Sequence, residues 1–359
     1  MKQWFFRPII VVFWVVILFG CLYWPKLKIF HYEANTLNVF AWGDILDNAV
    51  IAQFEKETGH KINLSYYSSN EELLVKLKAT KGEGYDLIIP SDYAVALLTE
   101  EGLLKPLDRG RLLFWQDINP NLLGHHFDPQ NRFSLPFEWE IYILGIDKNY
   151  FATRPLDPSW KLIFDKNTVN YKISMINDPI EAIQFAGFYL FGDLDHLDET
   201  QALSVKNLLK EQKKWVEAYA NFRGDYFLAT QNCPVVIASS SYIWRTMRLF
   251  PFVSFIVPKE GTFITIENLA IPKLSDKDDL TYKFINYLYS HYSVKSHFET
   301  YGFFPATLQS LKEIEMEPEA RELVFSSEEQ FKKFHFVTDL IPQQQIHDTW
   351  VEVKSGKSY

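Results

Sequence analysis

A chain of 359 residues has room for two domains with separate cores, and 47% hydrophobic residues, including 30 Phe and 19 Tyr, supply the material. The formal charge of −9 argues against a nucleic-acid partner, because binding phosphates needs a basic surface. The only cysteines are Cys21 and Cys233, so if Cys21 is modified no internal disulfide is left and the core must stabilise the protein.

Lys2 and Arg7 precede an apolar run from Ile9 to Phe19, the pattern of a charged n-region followed by an h-region. The run ends Leu18-Phe19-Gly20-Cys21, which resembles a bacterial lipoprotein signal with Cys21 as the lipidated residue. Leu22, Tyr23 and Trp24 extend the stretch toward the length of an uncleaved anchor. Either route places the bulk of the protein outside the cytoplasm, tethered to the cytoplasmic membrane, with residues 1–36 as signal or anchor and tether.

A buried apolar run, Leu37 to Trp42, then feeds a helical pattern through Ile51 and Phe54 that stops at Gly59. A second strand, Ile62 to Tyr67, meets Ser69 and Asn70, with Glu71 and Glu72 in the first turn of the next helix, where carboxylates suit the dipole. A third strand, Tyr85 to Ile89, stops at Pro90 before another helix. In an open α/β sheet, ligands sit beyond the carboxyl ends of the strands, and those ends carry Trp42, Asp44, Ser68, Ser91 and Tyr93.

Further along, LPFEWEIYILGIDKNYF reads as extended and marks a place for the chain to pass from one lobe to another. A strand from Lys172 meets Asn177-Asp178-Pro179, with Asp178 as cap and Pro179 at the first helical position. A long polar helix is expected from Glu199 to Tyr219. Then come PVVIASSSYIWRTM (strand into helix), two strands in SFIVPKEGTFITIENLAIPK, and helices from Leu280 to Tyr289 and Val294 to Thr300.

Taken in order, VFAWGDIL, QFEKETGHKI, YDLIIPSDY, EGLLKPLD, FDPQNRFSLPFEWEIYILGID, VPKEGTFITIENLAIPK and ETYGFFPA make the chain resemble an extracellular solute-binding protein of the spermidine/putrescine-binding type, the ligand receptor of an ABC importer. The likeness runs from Leu37 over nearly the whole chain. It implies an α/β, two-lobed periplasmic-binding-protein fold (type II) with the ligand in the interlobe cleft, lobe 1 being 37–142 plus 268–308 and lobe 2 being 143–267 plus 309–359. It further implies that Trp42, Asp44 and Tyr93 are ligand contacts, that Asp178 and Glu181 hold amino groups, that Glu267 anchors a terminal ammonium, and that Phe303 takes an aromatic position usually held by Tyr. Against that pattern, Ala238 and Thr265 stand where tryptophans are expected and Ile45 where a tyrosine is; Trp139 and Trp244 are the candidates to compensate.

A linear polyamine presents ammonium groups along methylene chains, so its site needs carboxylates at the charges and aromatic faces between them. Other roles compete. Asp44 and Asp178 suit helix caps, Glu181 a solvated first turn, and Trp42 and Phe303 core packing. Glu267 sits among apolar residues, where an unpaired carboxylate is costly, so it calls for a cation, whether ligand or an internal Arg.

Enzymatic readings find little footing. Ser239, Ser240 and Ser241 lack a GxSxG elbow, His125 and His126 beside Asp128 lack metal-type spacing, and Tyr189 and Tyr219 do not make the tyrosine pair of an iron receptor. The expectation is a monomeric receptor that binds putrescine or spermidine and delivers it to permease subunits, with no cofactor, no metal, no nucleic acid and no covalent chemistry. The alternative is a receptor for another cationic or zwitterionic small solute.

Overall fold

Residues Thr36–Trp42 form β1, with Val39, Phe40 and Ala41 all buried. Phe40 packs on one side with Leu73, Leu77 and Ile88, and Val39 and Ala41 on the other with Val50 and Phe54. Cover on both faces is why this strand reads as a continuous apolar run and not as an alternation. The computed structural model describes residues 35–355, apart from 222, 317 and 326, together with Phe13, Trp14 and Ile17, which are helical. The rest of the expected signal or anchor, Cys21 included, lies outside the described residues. The chain divides into Met1–Thr36 and a far larger compact unit, Leu37–Tyr359. Among the described residues no helix is long and apolar enough to cross a membrane.

After β1 come α1 (Asn48–Thr58), β2 (Lys61–Tyr67), α2 (Asn70–Thr80), β3 (Leu87–Ile88) and α3 (Asp92–Glu100). Gly59 ends α1 in the left-handed conformation, φ 72°, and its N–H bonds to the Glu55 carbonyl. Ser69 caps α2, with Glu71 and Glu72 in its first turn. The third strand is shorter than the expected Tyr85 to Ile89. At Asp86 the carboxylate takes the Asn38 N–H at 2.8 Å, so a side chain holds the edge beside the ladder.

The extended segment is the 14-residue β4, Ser134–Asp147. Beyond it lie β5 (Ile173–Ile176), α4 (Pro179–Phe191), α5 (Glu199–Gln212), β6 (Val216–Ala220), β7 (Val235–Ser239), α6 (Ser240–Leu249), β8 (Val253–Ile256) and β9 (Thr262–Ala270). The expected helix to Tyr219 thus stops at Gln212. Val216 to Ala220 pair in parallel with β5, and Trp215, Val216 and Tyr219 pack on the second core, so tertiary packing overrides the polar helical pattern. Then follow α7 (Asp278–Leu288), α8 (His291–Tyr301), β10 (Phe304–Pro305), β11 (Phe334–Phe336) and α9 (Gln343–Ser355).

The strand order is β2-β1-β3-β9-β4-β7-β5-β6, with β10 and β8 on β4 and β11 on β9. Within it β4 changes partners. Ser134 to Ile141 pair antiparallel with β9, and Tyr142 to Ile146 pair with β7. This one strand joins a half built on β1, β3 and β9 to a half built on β5, β6 and β7, and the latter has its own core around Trp160, Phe164 and Phe185.

Candidate functional site

Strand β1 ends at half-buried Trp42, whose ring lies 4.5 Å from that of Tyr67. The chain then turns through Asp44, at φ 61°, leaving its side chain exposed. The helix cap is Asp47 instead. Its Oδ1 accepts the Ala49 N–H at 2.9 Å, and its Oδ2 accepts the Ser296 hydroxyl at 2.6 Å. Asp44 is therefore spared the capping role, and its charge acts on the phenols of Tyr242 and Tyr301.

The middle of the site is the stretch where β4 leaves β9 for β7. Glu138 stands directly opposite Glu267, and Glu140 opposite Thr265. Alternation puts Glu138 and Glu140 on one face and sends Trp139, fully buried, to the other. Glu138 is 3% exposed and Glu267 9%, and burial holds both carboxyls well above the usual range, each raised further by neighbouring carboxylates. The Trp42 indole approaches Glu267 and acts the other way, without closing a hydrogen bond. Trp42 Nε1, Glu267 Oε2 and Glu138 Oε2 are all buried atoms with no hydrogen-bond partner among the described residues. Glu140 is raised by burial against the Ser241 hydroxyl, which donates to it at 2.5 Å, and against Arg245.

Asp92, at the start of α3, fixes this end of β9. It accepts the Ile266 N–H at 2.8 Å and the Tyr93 N–H at 2.6 Å, while burial pushes its carboxyl up to about 7. Tyr93 is half-buried, and its phenol is raised by burial, then by Asp339 and Glu71. Those same two carboxylates act on Asp178. Asp178 does cap its helix, its Oδ1 taking the N–H groups of Ile180 at 2.8 Å and Glu181 at 3.1 Å, yet burial still raises it. Glu181 is no solvated acid: it accepts the Tyr142 hydroxyl at 2.5 Å and is pushed up to about 8 by burial and by Asp178.

Apart from Phe303, the sequence-expected residues are linked electrostatically. The Trp42 indole acts on the Glu267 carboxyl, Glu140 acts on both Glu267 and Glu181, and Tyr93 shares Glu71 and Asp339 with Asp178. Phe303 is half-buried against the main core, just after Gly302, where φ is 80° and an added Cβ would lie 2.8 Å from the Ser241 carbonyl oxygen. Trp139 and Trp244 cannot compensate for lost aromatic walls, because both are core residues, 0% and 5% exposed. Ala238 and Ile45 are buried too, whereas Thr265 is half-buried beside Glu140. His125 and His126 pack on Phe336, and Asp128 accepts backbone N–H groups from Arg132, Phe133 and Ser134.

Glu138, Glu140, Glu71 and Asp339 join the set only in the structure. For the first two a signal existed, since Glu-Trp-Glu in a strand sends both acids to one face. Asp339 comes from the distant C-terminal segment, and nothing local marks it.

Acid groups outnumber cations here, and Trp42, Tyr93 and Tyr242 add aromatic faces. Arg245, whose guanidinium lies 4.2 Å from the Tyr242 ring, is the cation set against Glu140. Carboxylates and aromatic faces gathered in this way suit a positively charged organic group, the chemistry a solute receptor for cations needs.

Comparison with known proteins agrees with that class. The family described as bacterial extracellular solute-binding protein matches residues 49–322, and the chain belongs to it. It is 26% identical over 330 residues to the spermidine/putrescine-binding periplasmic protein of Escherichia coli strain K12, covering 90% of this chain and 93% of that one. To the putrescine-binding periplasmic protein PotF of the same organism it is 30% identical over 276 residues, 71% of this chain and 74% of the relative. The fold matches the spermidine/putrescine ABC transporter substrate-binding protein PotD from Streptococcus pneumoniae, with a TM-score of 0.78 at 22% identity, over 89% of this chain and 99% of that one. The expected α/β periplasmic-binding-protein fold is the one found.

Proposed function

We propose that this protein captures a polyamine, putrescine or spermidine, outside the cytoplasmic membrane and hands it to the membrane subunits of an ABC importer. The observation that carries the reading is Glu267, a carboxyl 9% exposed with an unpartnered oxygen, set against the Trp42 indole and among further acids. A ligand ammonium would supply the missing partner, and each ammonium over an aromatic ring gains ~0.5–2 kcal/mol. The names of the relatives point the same way.

In this reading Trp42, Asp44, Tyr93, Asp178, Glu181, Glu267 and Phe303 contact the ligand. Residues 37–142 with 268–308 form one lobe, and 143–267 with 309–359 the other. Closure of the lobes excludes water and strengthens each charge contact, and ligand shifts the population toward the closed form that the permease recognises. The receptor acts as a monomer, performs no covalent chemistry, and is held to the membrane by a lipidated Cys21 or an uncleaved anchor.

A second reading, a receptor for a different cationic or zwitterionic solute, is favoured by Thr265 and by buried Ala238, which leave two walls without aromatic faces. Calorimetric titration of the full chain, in mild detergent, with putrescine, cadaverine, spermidine, spermine and a panel of amino acids decides between them. Tight binding of one or more amines supports the first reading. Silence toward every amine with heat from an amino acid overturns it in favour of the second.

A further inference from the structure

The receptor reading leaves one feature of the site unused. Glu138 is opposite Glu267 across the β4–β9 ladder, and directly opposed side chains begin about 4.5–5.5 Å apart at Cβ on the same face. Each carboxyl is at least nine-tenths buried and each has an oxygen, Oε2, without a hydrogen-bond partner among the described residues. Two carboxylates that close, away from water, do not both ionise cheaply, so an empty site keeps a proton on the pair. A primary ammonium has three N–H donors and a full charge, enough to bridge both unpartnered oxygens and replace that proton.

Resting on the polyamine reading, we propose that Glu138 is a ligand-binding residue which, with Glu267, forms a two-carboxylate seat for one primary ammonium, and that seating the ammonium expels one proton from the pair to solvent. The groups around the pair fit an exchange of cation for proton. Glu138 faces Glu140 on its own strand, Tyr289 just after α7 and Tyr301 on α8. Glu267 faces Asp92 on α3, Glu140, Tyr67 on β2 and the Trp42 indole. The charges that act on the two carboxyls most strongly are carboxylates, and Arg245 is engaged with Glu140 and the Tyr242 ring. Burial, reinforced by these acids, raises both carboxyls well above their usual range.

The test is calorimetric titration of the full chain with putrescine, in phosphate and in Bis-Tris at matched pH from about 5.8 to 7.5. The difference in heat between buffers counts the protons released. The expected result is release approaching one proton per putrescine from this pair. Affinity should rise about tenfold per pH unit where the proton is exchanged, since a proton bound only by the empty form competes with the ligand.

Glu138→Gln should lose at least roughly tenfold in affinity at the upper pH, while a thermal melt without ligand shows that the variant folds. Unchanged affinity in Glu138→Gln would overturn the role of Glu138 and leave the receptor reading intact. Putrescine binding by the wild-type chain with no proton release and no pH dependence would overturn the exchange without recourse to any variant. No binding of any amine by the wild-type chain would instead sink the receptor reading, and this seat with it.

Discussion

Glu267 is the residue whose chemistry the sequence stated most openly. An acid between Ile266 and Leu269 in an apolar strand calls for a cation, and among the described residues its Oε2 has no hydrogen-bond partner. Replacing it by Gln keeps the shape and removes the charge, so putrescine affinity measured by titration should fall about 10- to 100-fold, the worth of a hydrogen bond to a charged group. Thr265 and Ala238 separate two substitutions that look alike on paper. Thr265→Trp extends from a half-buried position beside Glu140 and should raise polyamine affinity while leaving the melting temperature nearly unchanged. Ala238→Trp forces a large ring into a fully buried place opposite Ile143, and should cost about 1–3 kcal/mol or more in a urea melt. If the two variants were equally stable, position 238 would face the site and not the core.

At the scale of elements, the site depends on how strand ends are tied to helix starts. Asp92 joins α3 to β9, Asp178 opens α4, and Asp47 joins α1 to α8 through Ser296 and Thr300. Burial alone would raise Asp47, but the bonds from Ser296, the Ala49 N–H and Thr300 outweigh it and leave the carboxyl below its usual value. Its stabilising contribution is therefore present at neutral pH and lost as the pH falls through the lowered value. Asp47→Ala should lower stability by about 1–2 kcal/mol at pH 7, with a smaller difference at pH 3, measured by urea denaturation at both. An equal loss at both values would mean that the carboxylate charge contributes nothing.

At the scale of the molecule, the acids gathered between the halves cost stability while no ligand is bound. Asp92, at about 7, and Glu181, at about 8, both lie above their unfolded values near 4, so the folded form binds more protons between those limits. Their stabilisation is complete below about pH 4 and is lost as the pH rises to about 8, with a slope of about 1.4 kcal/mol per unit for each proton involved. The melting temperature of the unliganded protein should accordingly fall between pH 5 and pH 8. Saturating putrescine should lift it most at the high end, because the ligand's charge replaces the missing protons. Scanning calorimetry at several pH values checks this, and a melting temperature that rises with pH through that window would contradict it.

Much of the architecture was written locally. Gly59 after an apolar periodicity, Ser69 before Glu71 and Glu72, and Asp178-Pro179 after a short strand each encode an element boundary in a few neighbouring residues, and those boundaries appear in the fold. Asp44 and Asp47, three residues apart, compete for one cap, and only the packing of α8 against α1 assigned it to Asp47. The polar stretch after Glu199 looks helical to Tyr219, yet β5 offers its edge and Val216 to Ala220 take it. Local propensity and capping act over a few residues, so the sequence by itself determined those boundaries, the family likeness and the acid-and-aromatic character of the site. The facing of Glu138 with Glu267, the arrival of Asp339 beside Asp178 and the withdrawal of Trp139 and Trp244 into the core were decided only by tertiary structure, because register and long-range packing bring together residues that no local rule connects.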